Sequence, residues 1–106
     1  MSSKIQKVLK ELKKGLLRIY AGQVDSIILY GSQARGDARE DSDIDVLLVI
    51  KDEFNYIEML KRSDDQVVSL SLDNDVVISR AFVSKREYQE QKSPFLINVH
   101  RDGVTV

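Results

Sequence analysis

Asp43 and Asp45 stand one residue apart at the mouth of the apolar run IDVLLVI (44–50), and Gly31-Ser32 closes an earlier run, SIILY (26–30). In an extended chain, residues i and i+2 project from one face with Cα atoms roughly 6.5 Å apart. Two carboxylates so placed repel each other unless positive charge lies between them. A divalent cation resolves that repulsion, and two cations about 3.5–4 Å apart can share such a pair. Metal ligation is therefore the chemistry this spacing allows. A strand that ends in a polar turn explains the same two residues more plainly, and D-x-D alone does not decide between the readings.

Gly31-Ser32 adds a second half. A residue without a β-carbon, directly after a strand, lets backbone amides come close to a ligand. Ser32 is expected to cap a short helix through Gln33-Ala34-Arg35. Free amides at such a start attract phosphate, and the hydroxyl offers one more donor. A tight turn with a helix cap is the alternative here. Taken together, strand–GS–helix–loop–DxD–strand makes an anion cradle facing a metal site, which is what holding a metal–triphosphate requires.

The rest of the chain must position these parts. Ile5, Val8, Leu9, Leu12, Leu16 and Ile19 recur at helical spacing, predicting an amphipathic helix over 3–21, weakened at Gly15 and stopped at Gly22. Its other face carries Lys4, Lys7, Lys10, Lys13 and Lys14, which reads as a solvated surface before it reads as an RNA contact. Both faces of IDVLLVI turn apolar after the aspartates, so it is expected to be an inner strand with carboxylates at its solvent-reachable start. A looser pattern from Asp52 predicts a helix ending near Asp73-Asn74, and VVISRAFV (76–83) a third strand. Ser84-Lys85-Arg86-Glu87 has the capping-box form, and Ser93-Pro94 opens a last short helix that Gly103 stops. VTV (104–106) then adds an edge strand. This order describes one α+β domain over residues 1–106, a small mixed sheet packed with helices in a sandwich-like arrangement.

Composition narrows the chemistry. With no cysteine and a single histidine, His100, any metal must be held by carboxylates, which points to Mg²⁺ or Mn²⁺. The absence of cysteine fits a reducing cytoplasm. Apolar runs of about five residues cannot span a membrane, which takes roughly 20. The amphipathic N-terminus does not look like a signal peptide. With a net charge of −1, any affinity for nucleic acid must come from a local patch, and the few clustered aromatics to stack on bases leave nucleic acid outside the expected specific ligands.

Gly31-Ser32, ten intervening residues and Asp43-Ile44-Asp45 resemble the G-S-x10-D-x-D signature of the DNA polymerase β-like nucleotidyltransferase superfamily. By chance, such a set arises in on the order of one in a thousand chains this long. The stretch GSQARGDAREDSDID looks especially like the minimal nucleotidyltransferases of bacteria and archaea. The resemblance implies a polymerase β-like fold and transfer of a nucleoside monophosphate, with ATP the default donor. It implies two Mg²⁺ ions on Asp43 and Asp45, with a third carboxylate from a later strand. Asp75 is the preferred candidate for that ligand because it directly precedes the apolar run, and Asp73 is the alternative. Gly31 and Ser32 would hold the β- and γ-phosphates. Arg35 or Arg39 would neutralise the leaving group, unless they pair with Asp37, Glu40 or Asp41 at the surface. Minimal members resemble antitoxins that adenylylate a tyrosine of a helical HEPN-type toxin, which makes such a protein the expected partner. A catalytically silent antitoxin that binds its partner by contact alone is the competing reading.

Overall fold

The computed structural model describes residues 1–37 and 43–106. Helix α1 (Ser3–Tyr20) starts where Ser2 Oγ accepts the Ile5 N–H at 3.2 Å, and it buries Ile5, Val8, Leu12 and Leu16 on one side. Ala21, at a φ of 49°, breaks the helix into the short turn Ala21–Gln23, one residue before the glycine expected to stop it. Strand β1 (Val24–Tyr30) begins two residues earlier than its apolar run. Helix α2 (Gly31–Arg35) follows directly, and β2 (Ile44–Ile50) has the predicted span. Helix α3 (Tyr56–Asn74) is capped by Asn55 and ends as expected, whereas β3 (Ile78–Ser84) starts two residues late. Ser84 Oγ accepts the Glu87 N–H at 3.2 Å to open α4 (Lys85–Glu90). Ser93 and Pro94 open α5 (Pro94–Asp102), and β4 (Val104–Thr105) is the edge strand.

The sheet order is β3-β2-β1-β4, with β2 parallel to β3 and β1 antiparallel to both β2 and β4. Strand alternation divides β2 between two cores. Ile44, Val46, Leu48 and Ile50 pack against α1 and α3, where Leu12, Leu16, Met59 and Val67 are buried. Leu47 and Val49 face the other way, with Ile28, Val83, Leu96 and Val99. The result is a mixed sheet between a large helical layer and a small one. Asp45 shares the parity of Leu47, so it opens towards the small layer, and Asp43 directly precedes the strand.

A polar tie fixes the large layer to the sheet. The buried Tyr20 hydroxyl donates to the Met59 carbonyl and lies 2.7 Å from Ser63 Oγ, which accepts from Arg80 Nε of β3 at 2.8 Å. Arg62 covers the Tyr20 ring at 5.0 Å and donates to the Ile19 carbonyl at 2.6 Å. Burial raises the proton affinity of the Tyr20 hydroxyl, against the pull of Ser63, Arg80 and Arg62. No helix among the described residues is long and apolar enough to cross a membrane.

Candidate active site

The end of β1 and the start of β2 lie side by side, with Tyr30 opposite Asp45 across the antiparallel ladder. Gly31 then turns at a φ of +73°, a conformation that favours glycine. A β-carbon there would lie 2.4 Å from Asp45 Oδ2. The carboxylate thus occupies space that only glycine leaves open. Asp43 is exposed and Asp45 half-buried. Burial, and then the neighbouring Asp43 charge, hold the Asp45 carboxyl above the ordinary carboxylate range, while Arg35 pulls it down. A cation beside this pair would remove the repulsion and favour the ionised form. Two neighbouring carboxylates, one at the start of β2 and one just before it, suit a hard divalent cation.

Ser32 is not the helix cap. Tyr30 occupies that position without a side-chain cap, because Gly31 turns the chain into the helix one residue early. Ser32 sits instead in the first turn, half-buried, and its hydroxyl makes no hydrogen bond among the described residues. Arg35 Nε pairs with Asp37 at 3.2 Å, their side chains 47% and 61% exposed, so the surface pairing foreseen for this arginine is present. The expectations for Arg39, Glu40, Asp41 and Ser42 lie outside the described residues.

The expected third carboxylate is not brought to the pair. Parallel register sets Ser79 beside Asp45 and Ile78 beside Ile44, and the Ile44 N–H donates to the Val77 carbonyl at 2.9 Å. The strand position next to Asp45 is therefore filled by a half-buried serine. Asp75 lies four residues before it, outside the strand, as the left-handed C-cap of α3 (φ 52°, ψ 50°), with its N–H on the Ser71 carbonyl. Asp73 belongs to α3 itself. Among the described residues, no three His, Cys, Asp or Glu side chains are grouped to hold a metal.

A cavity of about 190 Å³ opens beside Gly31, lined by Tyr30, Gly31, Arg35, Phe95, Asn98 and Asp102 among others. Burial, then Asp45, raises the Tyr30 hydroxyl's proton affinity. The three α5 residues were not foreseen. Their only trace in the sequence is spacing, since 95, 98 and 102 fall on one side of a helix.

Residues 6–99 match the family model described as nucleotidyltransferase domain, so the chain belongs to that family and is a nucleotidyltransferase. Two similar proteins carry the qualifier "putative" in their names. One is protein adenylyltransferase MJ0141 of Methanocaldococcus jannaschii, 36% identical over 103 residues, which are 96% of this chain and 98% of the relative. The other is a nucleotidyltransferase of Sulfolobus solfataricus solved by crystallography, with a TM-score of 0.60 and 22% identity over 99% of this chain and 86% of that one. A crystal structure described as a toxin-antitoxin with AMP-PNP matches at a TM-score of 0.58 and 19% identity, over 89% of this chain and 68% of that one. At such identities the two structures speak for the fold, which is the mixed sheet with helices that the sequence led us to expect.

Proposed function

We propose that this nucleotidyltransferase moves AMP from ATP onto a hydroxyl of another protein, with a tyrosine of a helical HEPN-type toxin as the leading acceptor. The carrying observation is the seat of the Asp45 carboxylate over Gly31, which links the acidic pair to the Gly-Ser turn in one site. The acceptor oxygen bonds to the α-phosphorus, the bond from that phosphorus to the bridging oxygen breaks, and pyrophosphate leaves while the hydroxyl proton passes to solvent. Gly31 and Ser32 hold the β- and γ-phosphates, keeping the leaving group in line. Arg35 exchanges Asp37 for the growing charge on pyrophosphate. Asp43 and Asp45 are the residues to hold Mg²⁺ or Mn²⁺, which when bound supplies the charge that gathers the triphosphate and activates the acceptor hydroxyl. Asp75 is left out of this ligand set because it caps α3 instead of flanking the pair. The name of the M. jannaschii relative supports protein as the acceptor. The toxin–antitoxin neighbour supports the kind of partner.

One observation favours the second reading, a silent antitoxin that masks its partner by contact: the serine at position 79, where a third ligand would serve the pair. Incubation with labelled ATP, Mg²⁺ and a candidate helical toxin separates the two. Label on the toxin that disappears in Asp43→Ala and persists in Lys10→Ala supports transfer. Undiminished binding to the toxin without any label supports the silent module.

A further inference from the structure

We propose that α5 completes the terminal-phosphate end of the nucleotide site, with Asn98 donating a hydrogen bond to the last phosphate of the triphosphate. The inference rests on the reading of Gly31 and Ser32 as the phosphate cradle, and it assigns a residue that this reading leaves out.

Helix α5 is fixed at both ends. Ser93 Oγ accepts the Leu96 N–H at 3.1 Å, and Gly103 N–H donates to the Val99 carbonyl at 2.7 Å. Leu96 and Val99 are sunk in the small core, and β4 pairs with β1 directly afterwards. A β-carbon on Gly103 would lie 2.7 Å from Ile28 Cγ2, so the helix end is pressed against the sheet. These anchors set the side bearing Phe95, Asn98 and Asp102 against the Gly31 cavity.

The wall offers hydrogen-bond donors to an anion of modest size. Arg35 contributes a guanidinium from the α2 side. From α5, Asn98 is exposed and its amide makes no hydrogen bond among the described residues, leaving two N–H donors for a ligand. The opposing carboxylate, Asp102, is engaged by its own neighbour, with Arg101 Nε and Nη2 each 3.1 Å from one of its oxygens. Phe95 meets the Tyr30 ring edge-on at 5.3 Å and closes the apolar side. At about 190 Å³ the cavity is smaller than pockets that take a drug-sized molecule, which begin near 300 Å³. A chain of phosphates that enters over Gly31 reaches this space with its far end.

Binding of ATP, inorganic tripolyphosphate and AMP, each with Mg²⁺, tests the assignment in wild type, Asn98→Ala, Asn98→Asp and Asn98→Gln. Asn98→Asp should weaken ATP and tripolyphosphate by more than about tenfold, the loss of one charge-assisted hydrogen bond together with the repulsion of a new carboxylate, with AMP affinity and melting temperature unchanged. Asn98→Ala should lose less, and Asn98→Gln should recover part of the loss. ATP affinity equal in wild type and Asn98→Asp, or AMP weakened as much as ATP, would overturn the role of Asn98 while leaving the cradle intact. A wild-type protein that binds neither ATP nor tripolyphosphate overturns the cradle, and with it this inference.

Discussion

Asp45 Oδ2 lies 2.4 Å from the ideal position of a β-carbon on Gly31, too close for the two to coexist. The acidic pair and the Gly-Ser turn are therefore one steric unit, and an alanine at 31 cannot coexist with the carboxylate as it stands. Gly31→Ala should cost stability, on the order of 1–3 kcal/mol, through the positive φ. A carboxylate displaced by about an ångström should lower transfer about a hundredfold. Urea unfolding of Gly31→Ala, Asp45→Ala and the double variant checks the contact: the glycine substitution should cost less when Asp45 is already gone. Strict additivity would mean that the two side chains do not compete for this space.

A second expectation concerns Asp45 and pH. Burial and Asp43 raise its folded-state carboxyl above the ordinary value of 3.8. Between that value and the raised one, the folded protein binds more protons than the unfolded chain, so stability falls as pH rises through the window and stays lower above it. Asp45→Asn removes the charge with little change of shape. Without metal, it should melt higher than wild type at pH 7 and lose that part of the acid-side dependence, while abolishing transfer. An Asp45→Asn protein that melts below wild type at pH 7 would show that the carboxylate is held by favourable contacts.

What the sequence made legible was local. The span of β2, the serine caps at 84 and 93, and the stop at Gly103 follow from periodicity and capping chemistry carried within a few residues. The Gly-Ser and D-x-D motifs were readable because their spacing is covalent. What escaped depends on pairing between distant segments. Parallel register decides that Ser79, and no carboxylate, stands beside Asp45. The left-handed turn at Asp75 separates it from a strand it seemed to adjoin. The Asn98 side of α5 acquires meaning only when β4 pulls the helix onto β1.

Gly15 shows the same limit and yields a third prediction. It weakens α1 as a helix, and its partner is 51 residues away: a β-carbon would lie 1.5 Å from Gln66 Nε2, the amide that covers it. The obstruction is the end of a flexible side chain. Among the described residues its amide gains a 3.4 Å bond to the Glu11 carbonyl, while its Oε1 is buried without a partner there. Gly15→Ala should let that amide swing to water and stabilise the protein by about 0.5–1 kcal/mol through helix propensity. Loss of stability in chemical denaturation would show that α1 and α3 need the glycine for closeness of their backbones.

The last prediction decides what the third carboxylate does. Asp75 adopts a left-handed conformation that asparagine also accepts readily. Asp75→Asn should therefore keep both stability and transfer, whereas Asp75→Val should lose about 1–2 kcal/mol from the backbone alone. Ser79→Asp sets a carboxylate beside Asp45 on the adjacent strand, in the register the sheet dictates. Its added repulsion should lower the metal-free melting temperature below wild type. Millimolar Mg²⁺ should then raise it by more than in wild type, since a cation that binds only the folded state gains a ligand. Asp75→Asn that loses transfer as fully as Asp43→Ala would show Asp75 reaching the pair in the working enzyme, and Ser79→Asp unresponsive to Mg²⁺ would deny a cation site at the start of β2.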